Sequence, residues 1–445
     1  MKHPKVLLLL VMVFVTIISA CGPAPTQVET PASQPQEEPA DQPTQAPAAG
    51  EMVELSFSVW GDPEELAILQ EIADDFTAKN PNVEITVNVS DWDTYWDKLQ
   101  TTLAAGNPPD VFAMDAPLYS DYQSRGVLLN LQSYVDSDFD LSGYYPASLQ
   151  CYQTADGYYG LPRDIQPSAM YFNKDMFDEA GVAYPDENWT WQDLIDAGQK
   201  LTKDRDGDGN IDQFAIWADL WDMELLWASL IWQNGGEILN EDYTQTLLGE
   251  EGAMGAWQFI HDMIFKYEIM PTPSAAEQFG DPFESGNAAM TTAGHWVVPY
   301  YSNVDFNWDV APLPMGKERV SIVNSVGFVV AKDSQHPDEA WAFLKHLVGE
   351  EGQTKITALG LGVPALQEIA NSDAYLKQDT APINHQLFLD AMEYSKVKPC
   401  FRGYDEWATL IGDGMFSIWL GEAELGPTLD ELVPQADEIL AQAGS

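Results

Sequence analysis

The chain has 445 residues, with 70 acidic and 20 basic side chains and a formal charge of −50. This length fits roughly two to three domains with sizeable hydrophobic cores, and 45% of the residues are hydrophobic. So acidic a chain offers no basic surface to nucleic-acid phosphates or to anionic lipid headgroups. The charge is typical of a soluble protein that works outside the cell, although a need for divalent cations would also produce it.

The N-terminal residues have the features of a secretory signal. Lys2 and Lys5 precede an apolar run at residues 6–18, which is too short for a stable membrane span. The sequence Ile-Ser-Ala before Cys21 resembles a bacterial lipobox. This resemblance implies cleavage before Cys21, lipid attachment to its sulfur and anchoring of the chain to the cell membrane. An ordinary signal peptide with a chance cysteine is the alternative.

The next segment is predicted to be a disordered tether. Residues 21–50 are rich in Pro, Gln, Thr and Ala, and they hold too few apolar side chains to build a core. We therefore assign residues 1–20 to the signal peptide and residues 21–50 to a semi-extended linker. The linker would allow a soluble body to work above the membrane surface.

Two cysteines remain in the body of the chain, Cys151 and Cys400, one in each half. In an oxidising compartment they could form a disulfide, but the sequence does not give the distance between them. A disulfide and two buried thiols therefore both remain open.

The first part of the body alternates strand and helix patterns. Residues 53–59, 83–89 and 110–114 have the apolar patterns of strands, and helical patterns begin at Asp62 and at Asp91 between them. A strand–helix–strand–helix–strand order predicts parallel strands joined by right-handed crossovers. Ligands of such sheets bind beyond the carboxyl ends of the strands.

Aromatic and carboxylate side chains follow the predicted strand ends. They are Trp60, Asp62, Asp91, Trp92, Asp115 and Tyr119. Sugars suit such a set, because their C–H faces stack on aromatic rings and their hydroxyl groups donate to carboxylates. For any one of these aromatic residues, packing in the core is the alternative.

Three motifs resemble those of the carbohydrate-binding extracellular solute-binding proteins of ABC transporters. They are Ala-Gly-Asn-Pro-Pro-Asp-Val at 105–111, Gly-Leu-Pro at 160–162 followed by Asn-Lys-Asp at 173–175, and Phe-Glu-Ser-Gly-Asn-Ala-Ala-Met at 283–290. The resemblance implies an α/β, periplasmic-binding-protein-like fold with two lobes. Each lobe is a mainly parallel sheet flanked by helices, and a hinge joins the lobes with the ligand cleft between them.

The resemblance also implies lobe limits. The first lobe is expected to contain residues 51–168 and 310–350, and the second lobe residues 169–309 and 351–445. The stretch at 158–181 is the expected first crossover between the lobes, and the stretch at 308–314 resembles the return crossover.

Further candidates for ligand binding stand at the crossover or near predicted element ends: Arg163, Asp164, Trp221, Trp232, Trp296 and Arg402. Trp296 follows the third family motif in a Gly-His-Trp sequence and is the strongest candidate for stacking on a sugar. His295 is expected to be a hydrogen-bonding neighbour, since no second His or Cys stands at ligand spacing. Arg402 could donate to sugar hydroxyls or form an internal salt bridge.

An acidic loop in the second half resembles a calcium loop of the EF-hand pattern. Its candidate ligands stand at positions one, three, five, seven and nine of the loop: Asp204, Asp206, Asp208, Asn210 and Asp212. Position twelve is Ala215, so the usual bidentate carboxylate is missing from the loop. A structural calcium ion and a tight polar turn without metal therefore both remain open.

The resemblance implies a monomeric binding protein that closes over a sugar or oligosaccharide and delivers it to the permease subunits of an ABC importer. It would have no catalytic residue and no cofactor other than calcium. The same fold could instead bind a polyamine, a peptide or a phosphate ester. A secreted glycosidase is a further alternative, but the sequence has no Gly-x-Ser-x-Gly, His-Glu-x-x-His or phosphate-loop motif.

Overall fold

The computed structural model describes residues 52–378 and 381–444. The predicted signal peptide, Cys21 and the tether lie outside these described residues. Within the described ranges, no helix combines the length and the apolar character needed to cross a membrane.

The strands of the described residues are, in chain order, β1 (Val53–Trp60), β2 (Val83–Ser90), β3 (Val111–Asp115), β4 (Gln153–Thr154), β5 (Gly157–Tyr158), β6 (Gly160–Pro162), β7 (Asp164–Pro167), β8 (Ala169–Asn173), β9 (Phe214–Trp217), β10 (Ala288–Ala293), β11 (Trp308–Ala311), β12 (Ser321–Asn324), β13 (Val326–Val330), β14 (Val363–Pro364) and β15 (Ser395–Val397).

The α-helices of the same ranges are α1 (Pro63–Lys79), α2 (Trp92–Ala104), α3 (Tyr119–Ser124), α4 (Gln132–Asp138), α5 (Pro146–Leu149), α6 (Lys174–Ala180), α7 (Trp191–Leu201), α8 (Trp227–Gln233), α9 (Glu251–Phe265), α10 (Pro273–Ala276), α11 (Val298–Tyr301), α12 (Pro337–Val348), α13 (Glu350–Thr357), α14 (Gln367–Ala370), α15 (Asp373–Leu376), α16 (Gln386–Met392), α17 (Tyr404–Trp419) and α18 (Leu425–Ala443).

The first lobe is built on a sheet with the strand order β2-β1-β3-β13-β6. Strand β1 pairs in parallel with β2 and β3, as the alternation of strand and helix patterns predicts. The core beneath the sheet contains Phe57, which makes edge-to-face contacts with Phe328 and Phe343 at centroid distances of 5.3 and 5.4 Å. Strands from both ends of the first lobe's sequence therefore share one core.

The second lobe is built on a sheet with the order β11-β8-β10-β9. Strand β10 pairs in parallel with β9, whereas β8 is antiparallel to both β10 and β11. Its core includes Trp227, Trp257 and Trp419, three rings in sequential contact. Helices α17 and α18 from the end of the chain pack into the same core.

The two-lobed α/β fold is confirmed, but both sheets are mixed rather than mainly parallel. Strand β13 begins beside the end of β3, with Val326 opposite Asp115, and β8 begins beside the end of β10, with Ala169 opposite Ala293. Both strands enter their lobe from the hinge, where the neighbouring strands end. They must therefore run in the opposite direction.

A third sheet, with the order β14-β7-β12-β15, forms the hinge between the lobes. Strand β7 links β6 of the first lobe to β8 of the second, and β12 leads from the second lobe back to β13. Strand β15 pairs in parallel with β12 and precedes the helices that end the chain in the second core. The chain thus crosses between the lobes three times within the described residues.

The return crossover lies one strand later than the sequence suggests. Residues 308–311 form β11, which belongs to the second sheet, and the chain returns through β12 and β13. Helix α13 also places Ile356 in the first core. The lobe limits expected from the sequence differ from this arrangement near residues 310–320 and 351–357, and elsewhere they stay predictions.

Cys151 and Cys400 form a disulfide with a Cα–Cα distance of 5.8 Å. Cys151 is buried in the first core, and Cys400 follows β15 of the hinge sheet. Of the two alternatives left open by the sequence, the structure contains the disulfide.

Candidate ligand-binding cleft

The carboxyl ends of β1, β2 and β3 form one edge of the first sheet, with Trp60 opposite Ser90 in the strand register. Trp92 begins α2 directly beyond this edge, and its ring contacts that of Trp60 edge to face at 4.9 Å. Trp96, one turn further along α2, packs against both rings. The predicted gathering of aromatic side chains at the strand ends is therefore present.

The two carboxylates near this edge have local structural roles. Asp62 accepts a hydrogen bond from the backbone N–H of Glu65 at 3.0 Å, and the Glu65 carboxylate accepts one from the backbone N–H of Asp62 at 2.8 Å. Asp91 caps α2 by accepting from the N–H of Thr94 at 3.1 Å, and this bond lowers the pKa of its carboxyl group. Asp91 thereby fixes the start of α2, which carries Trp92 and Trp96, and Asp62 fixes the start of α1, shortly after Trp60.

A cavity of about 450 Å³ lies between the lobes, and we call it the inter-lobe cavity. Trp92 and Trp221 line it from opposite lobes and are 46% and 42% exposed. The indole N–H of Trp221 donates to Asp413 at 3.0 Å, which holds its ring in place. The lining also includes Asp115, Asp121, Asp222, Lys398, Gly403, Tyr404, Asp405 and Glu406.

A second cavity, of about 400 Å³, lies on the second lobe beside the end of β10, and we call it the Trp296 cavity. Trp296 is 39% exposed there, and its ring lies 6.3 Å from that of Tyr300. Trp217 from the end of β9 adds a third aromatic side chain to the lining. The cavity also contains carboxylates, from Asp219, Asp281 and Glu284.

His295 positions the turn that presents Trp296. Its ring is buried, and its Nδ1 lies 2.9 Å from the carbonyl oxygen of Gly360. Burial lowers the pKa of His295 to about 3, so the imidazole is neutral at ordinary pH. This placement is that of the hydrogen-bonding neighbour expected from the sequence.

A network of polar side chains lies between the lobes, and we call it the floor network; its members are Asp115, Asp222, Glu224, Asn324 and Lys398. Lys398 Nζ lies 3.0 Å from Asp222 Oδ2 and 3.1 Å from Glu224 Oε2. Asn324 Nδ2 donates to Asp115 Oδ1 at 2.8 Å and to Glu224 Oε2 at 3.2 Å. The network therefore joins the first sheet, the hinge and the second lobe.

The floor network contains three carboxyl groups and one ammonium group, so its negative charges are not fully balanced. Burial raises the pKa of Asp115 to about 6 and that of Glu224 to about 7, and the charge of Lys398 opposes both shifts. Burial alone would lower the pKa of Lys398, but Asp222 and other neighbours raise it well above its usual value. Glu224 Oε1 is buried and has no hydrogen-bond partner within the described part of the chain. Glu224 itself lines neither cavity, whereas Asp115, Asp222 and Lys398 of the same network line the inter-lobe cavity.

Eight predicted ligand contacts do not line either of these cavities: Trp60, Asp62, Asp91, Tyr119, Arg163, Asp164, Trp232 and Arg402. Tyr119 is 1% exposed and packs against Tyr152, because the chain turns inward after β3. Trp232 is buried in the second core, since every side chain of α8 is buried. The guanidinium group of Arg402 donates to the carbonyl oxygen of Ala443 at 3.2 Å.

Arg163 and Asp164 form a buried ion pair in the hinge. Arg163 Nε donates to Asp164 Oδ2 at 2.7 Å, and Asp164 Oδ1 accepts from the N–H of Val326 at 3.2 Å. Ser325 Oγ donates to the carbonyl oxygen of Asp164 at 2.9 Å. The pair thus connects the first crossover to the second, and both of its residues hold the hinge together.

The predicted calcium loop lies on the surface, and none of its candidate ligands lines either cavity. Carboxylate oxygens of Asp204, Asp206 and Asp208 all lie within 4.8 Å of one another. Asp212 Oδ1 instead accepts from the N–H of Arg205 at 3.0 Å, and Ala215 is a buried residue of β9. The three convergent carboxylates fit the oxygen donors that calcium requires. Calcium binding stays a prediction.

Sequence reasoning missed Glu224, Asn324, Lys398 and Tyr404. The strongest available signal was Asn324, which interrupts the apolar run of β12 and β13. A polar side chain in a buried strand needs a partner, and here the partners are Asp115 and Glu224.

Comparison with known proteins supports the same fold. Residues 60–354 match the family described as bacterial extracellular solute-binding protein. A putative binding protein of Brucella abortus is 27% identical over 83% of this chain and 89% of its own length. A maltotriose-binding protein of Pyrococcus abyssi is 26% identical over 71% of this chain and 67% of its own.

Among solved structures, an ABC substrate-binding protein of Listeria monocytogenes in complex with cycloalternan is similar to this chain. The TM-score is 0.80 at 24% identity, and the match covers 88% of this chain and 100% of the other. This likeness concerns the fold. Because the family match covers well over half of the sequence, the chain belongs to the bacterial extracellular solute-binding proteins.

Proposed function

We propose that this protein is the substrate-binding component of an ABC importer for a sugar or oligosaccharide. The observation that carries the proposal is the inter-lobe cavity, in which Trp92 and Trp221 face the same space from opposite lobes. Rings on both sides allow the two faces of a sugar to be covered when the lobes approach. The names of a maltotriose-binding relative and of a cycloalternan complex support the same ligand class.

Polar recognition would come from the floor network. The carboxylates of Asp115 and Asp222 can accept hydrogen bonds from sugar hydroxyls, and Lys398 can donate one; all three residues line the inter-lobe cavity. These groups belong to different lobes and to the hinge, so a ligand in contact with all of them stabilises the closed arrangement. Closure then follows from differential binding to the closed state, by rotation about the crossovers of the hinge sheet.

An oligosaccharide fits the arrangement better than a single sugar. The turn at Met223–Leu225 separates the two cavities, because Met223 lines the inter-lobe cavity and Leu225 lines the Trp296 cavity. Aromatic side chains are available in both, so a chain of sugar units can stack at more than one position.

The proposal assigns the protein no chemical step. A glycosidase needs two carboxyl groups free to transfer protons or attack the sugar. Here Glu224 Oε2 and Asp115 Oδ1 both accept from the same amide of Asn324, and Glu224 is also paired with Lys398. The test is to incubate the protein with the bound glycan and to look for shorter products, which we expect to be absent.

The family description places such proteins outside the cytoplasm. We propose that lipid on Cys21 anchors this one to the cell membrane, that the folded body works above the surface as a monomer, and that it delivers its ligand to permease subunits. Charge supports the view that nucleic acid is not a partner.

The proposal is tested by thermal unfolding of the purified chain with mono- and oligosaccharides, polyamines and peptides. Saturation at about a hundred times the dissociation constant stabilises a protein by about 2.7 kcal/mol. We expect a higher melting temperature with one class of glycan. A shift with a polyamine or a peptide, and none with any glycan, would leave the fold in place and contradict the ligand.

A further inference from the structure

The disulfide joins the first lobe to the third crossover. Cys151 lies in the turn that follows α5, where it is 6% exposed and packed in the first core. Cys400 lies 249 residues later, three residues beyond β15. The backbone around Cys400 is therefore held against the first lobe, although the chain continues from there into the second.

A hydrogen bond also connects the chain just after Cys400 to the first lobe. The N–H of Gly403 donates to Asp121 Oδ1 of α3, in the first lobe, at 2.7 Å. The next residue, Tyr404, is buried in the second core and begins α17. Phe401, directly after Cys400, is already buried in the second core, and Arg402 donates to the carbonyl oxygen of Ala443 at the end of α18. The chain therefore passes from the first lobe to the second directly after the disulfide, and Gly403 keeps one further contact with α3.

This segment also carries part of the ligand cleft. Lys398 stands two residues before Cys400, and its N–H donates to the carbonyl oxygen of Val323 in β12 at 2.8 Å. Its side chain crosses to the second lobe and pairs with Asp222 and Glu224. Residues 403–406, which follow Cys400 closely in the sequence, also line the inter-lobe cavity.

We propose that the disulfide is a positioning bond for ligand capture: it holds residues 398–400 on the first lobe, so that Lys398 reaches Asp222 and Glu224 when the lobes approach. The inference rests on the proposed sugar-binding function. Without the bond, the segment is held by the short β15 pairing and by the Gly403 hydrogen bond. The arrangement competent to bind is then a smaller fraction of the population, and the apparent dissociation constant rises by the inverse of that fraction.

The bond also makes affinity depend on thiol oxidation. A dithiol reductant supplies two electrons and two protons to the disulfide, which yields the thiols of Cys151 and Cys400 and the cyclic disulfide of the reductant. Outside the cytoplasm the oxidised form persists. Reduction would therefore lower the affinity for sugar without removing any side chain from the cleft.

The experiment compares the full chain with its Cys151→Ala/Cys400→Ala variant, using the glycan that gives the largest thermal shift. We expect the dissociation constant from calorimetry to rise roughly tenfold in the variant. The matched control is Leu347→Ala, a change in α12 whose side chain is buried in the first core. It lowers stability as the loss of a disulfide does, and we expect it to leave the affinity unchanged.

Unchanged affinity in the double alanine variant would overturn the inference, and so would an equal loss of affinity in Leu347→Ala. If the variant does not fold, the wild-type chain reduced with dithiothreitol, with its thiols counted, takes its place. Failure of the wild-type chain to bind any glycan would overturn the proposed function itself, which distinguishes the two failures.

A double-mutant cycle with Lys398→Met tests whether the bond acts through Lys398. We expect loss of the disulfide to weaken binding about tenfold in the wild type and less than twofold in the Lys398→Met background, because positioning has no further effect once the ammonium group is absent. Additive effects would show that the bond does not position Lys398 and would overturn the inference.

Discussion

Replacement of Trp296 by alanine should weaken sugar binding without unfolding the protein. The residue is 39% exposed, and the rest of its surface packs against the protein. Because a tryptophan side chain buries up to about 250 Å², roughly 100 Å² of it is available to a ligand. Covering most of that area is worth about 2 kcal/mol at ~25 cal/mol per Å². The dissociation constant should therefore rise about 30-fold.

The assay is isothermal titration of the glycan that stabilises the wild-type chain, with denaturant unfolding of each variant alongside. Trp341→Ala is the matched control. Trp341 is 4% exposed and stacks on Tyr134 in the first lobe, away from both cavities. Its loss should cost about 3–5 kcal/mol of unfolding free energy and leave the affinity unchanged. Wild-type affinity in Trp296→Ala, or equal weakening in Trp341→Ala, would refute the placement of the sugar.

Four further predictions concern pH, metal and lipid. Sugar affinity should fall as the pH drops from 7 to 5, since Glu224 takes up a proton near pH 7 and Asp115 near pH 6, and a protonated Asp115 accepts hydrogen bonds less well; calorimetry from pH 5 to 8 checks this. Because their pKa values are raised on folding, the same two groups should favour the folded state more at pH 5 than at pH 8, and Glu224→Gln should reduce that gain in denaturant unfolding. Calcium should raise the melting temperature of the wild type and not of Asp206→Ala, whereas the exposed control Asp430→Asn should respond like the wild type. Cys21→Ala should move the protein from the membrane to the soluble fraction after cell fractionation, and persistent membrane association would contradict lipid anchoring.

Local structure was readily predicted from the sequence. Asn173 caps α6 and Gly181 ends it in the left-handed conformation, as their positions in the sequence indicate. Thr190 and Asp193 form the expected capping box at the start of α7. These features depend on residues within one or two turns, so the sequence around them is sufficient.

The aromatic edge at Trp60 and Trp92 was also predictable, because parallel strands place their carboxyl ends at one edge. The floor network was not. Glu224, Asn324 and Lys398 come from three segments that meet only because the hinge sheet brings them together. The tertiary structure therefore determines which residues they contact, and the spacing of residues along the sequence does not predict these contacts.

Burial explains why two residues that were predicted to contact the ligand do not line the cavities. Tyr119 and Trp232 were expected near the cleft because each lies close to an element end, but both rings are turned into a core. The sequence places a residue along an element; which side of a fully buried element faces the ligand depends on the elements packed around it.

The most direct test of the account is the structure of the protein with the glycan selected by thermal unfolding. We predict a sugar unit between Trp92 and Trp221, with a hydroxyl group within hydrogen-bond distance of the carboxylate of Asp115 or Asp222. A glycan bound outside both cavities, or one that contacts neither carboxylate, would contradict the proposed function.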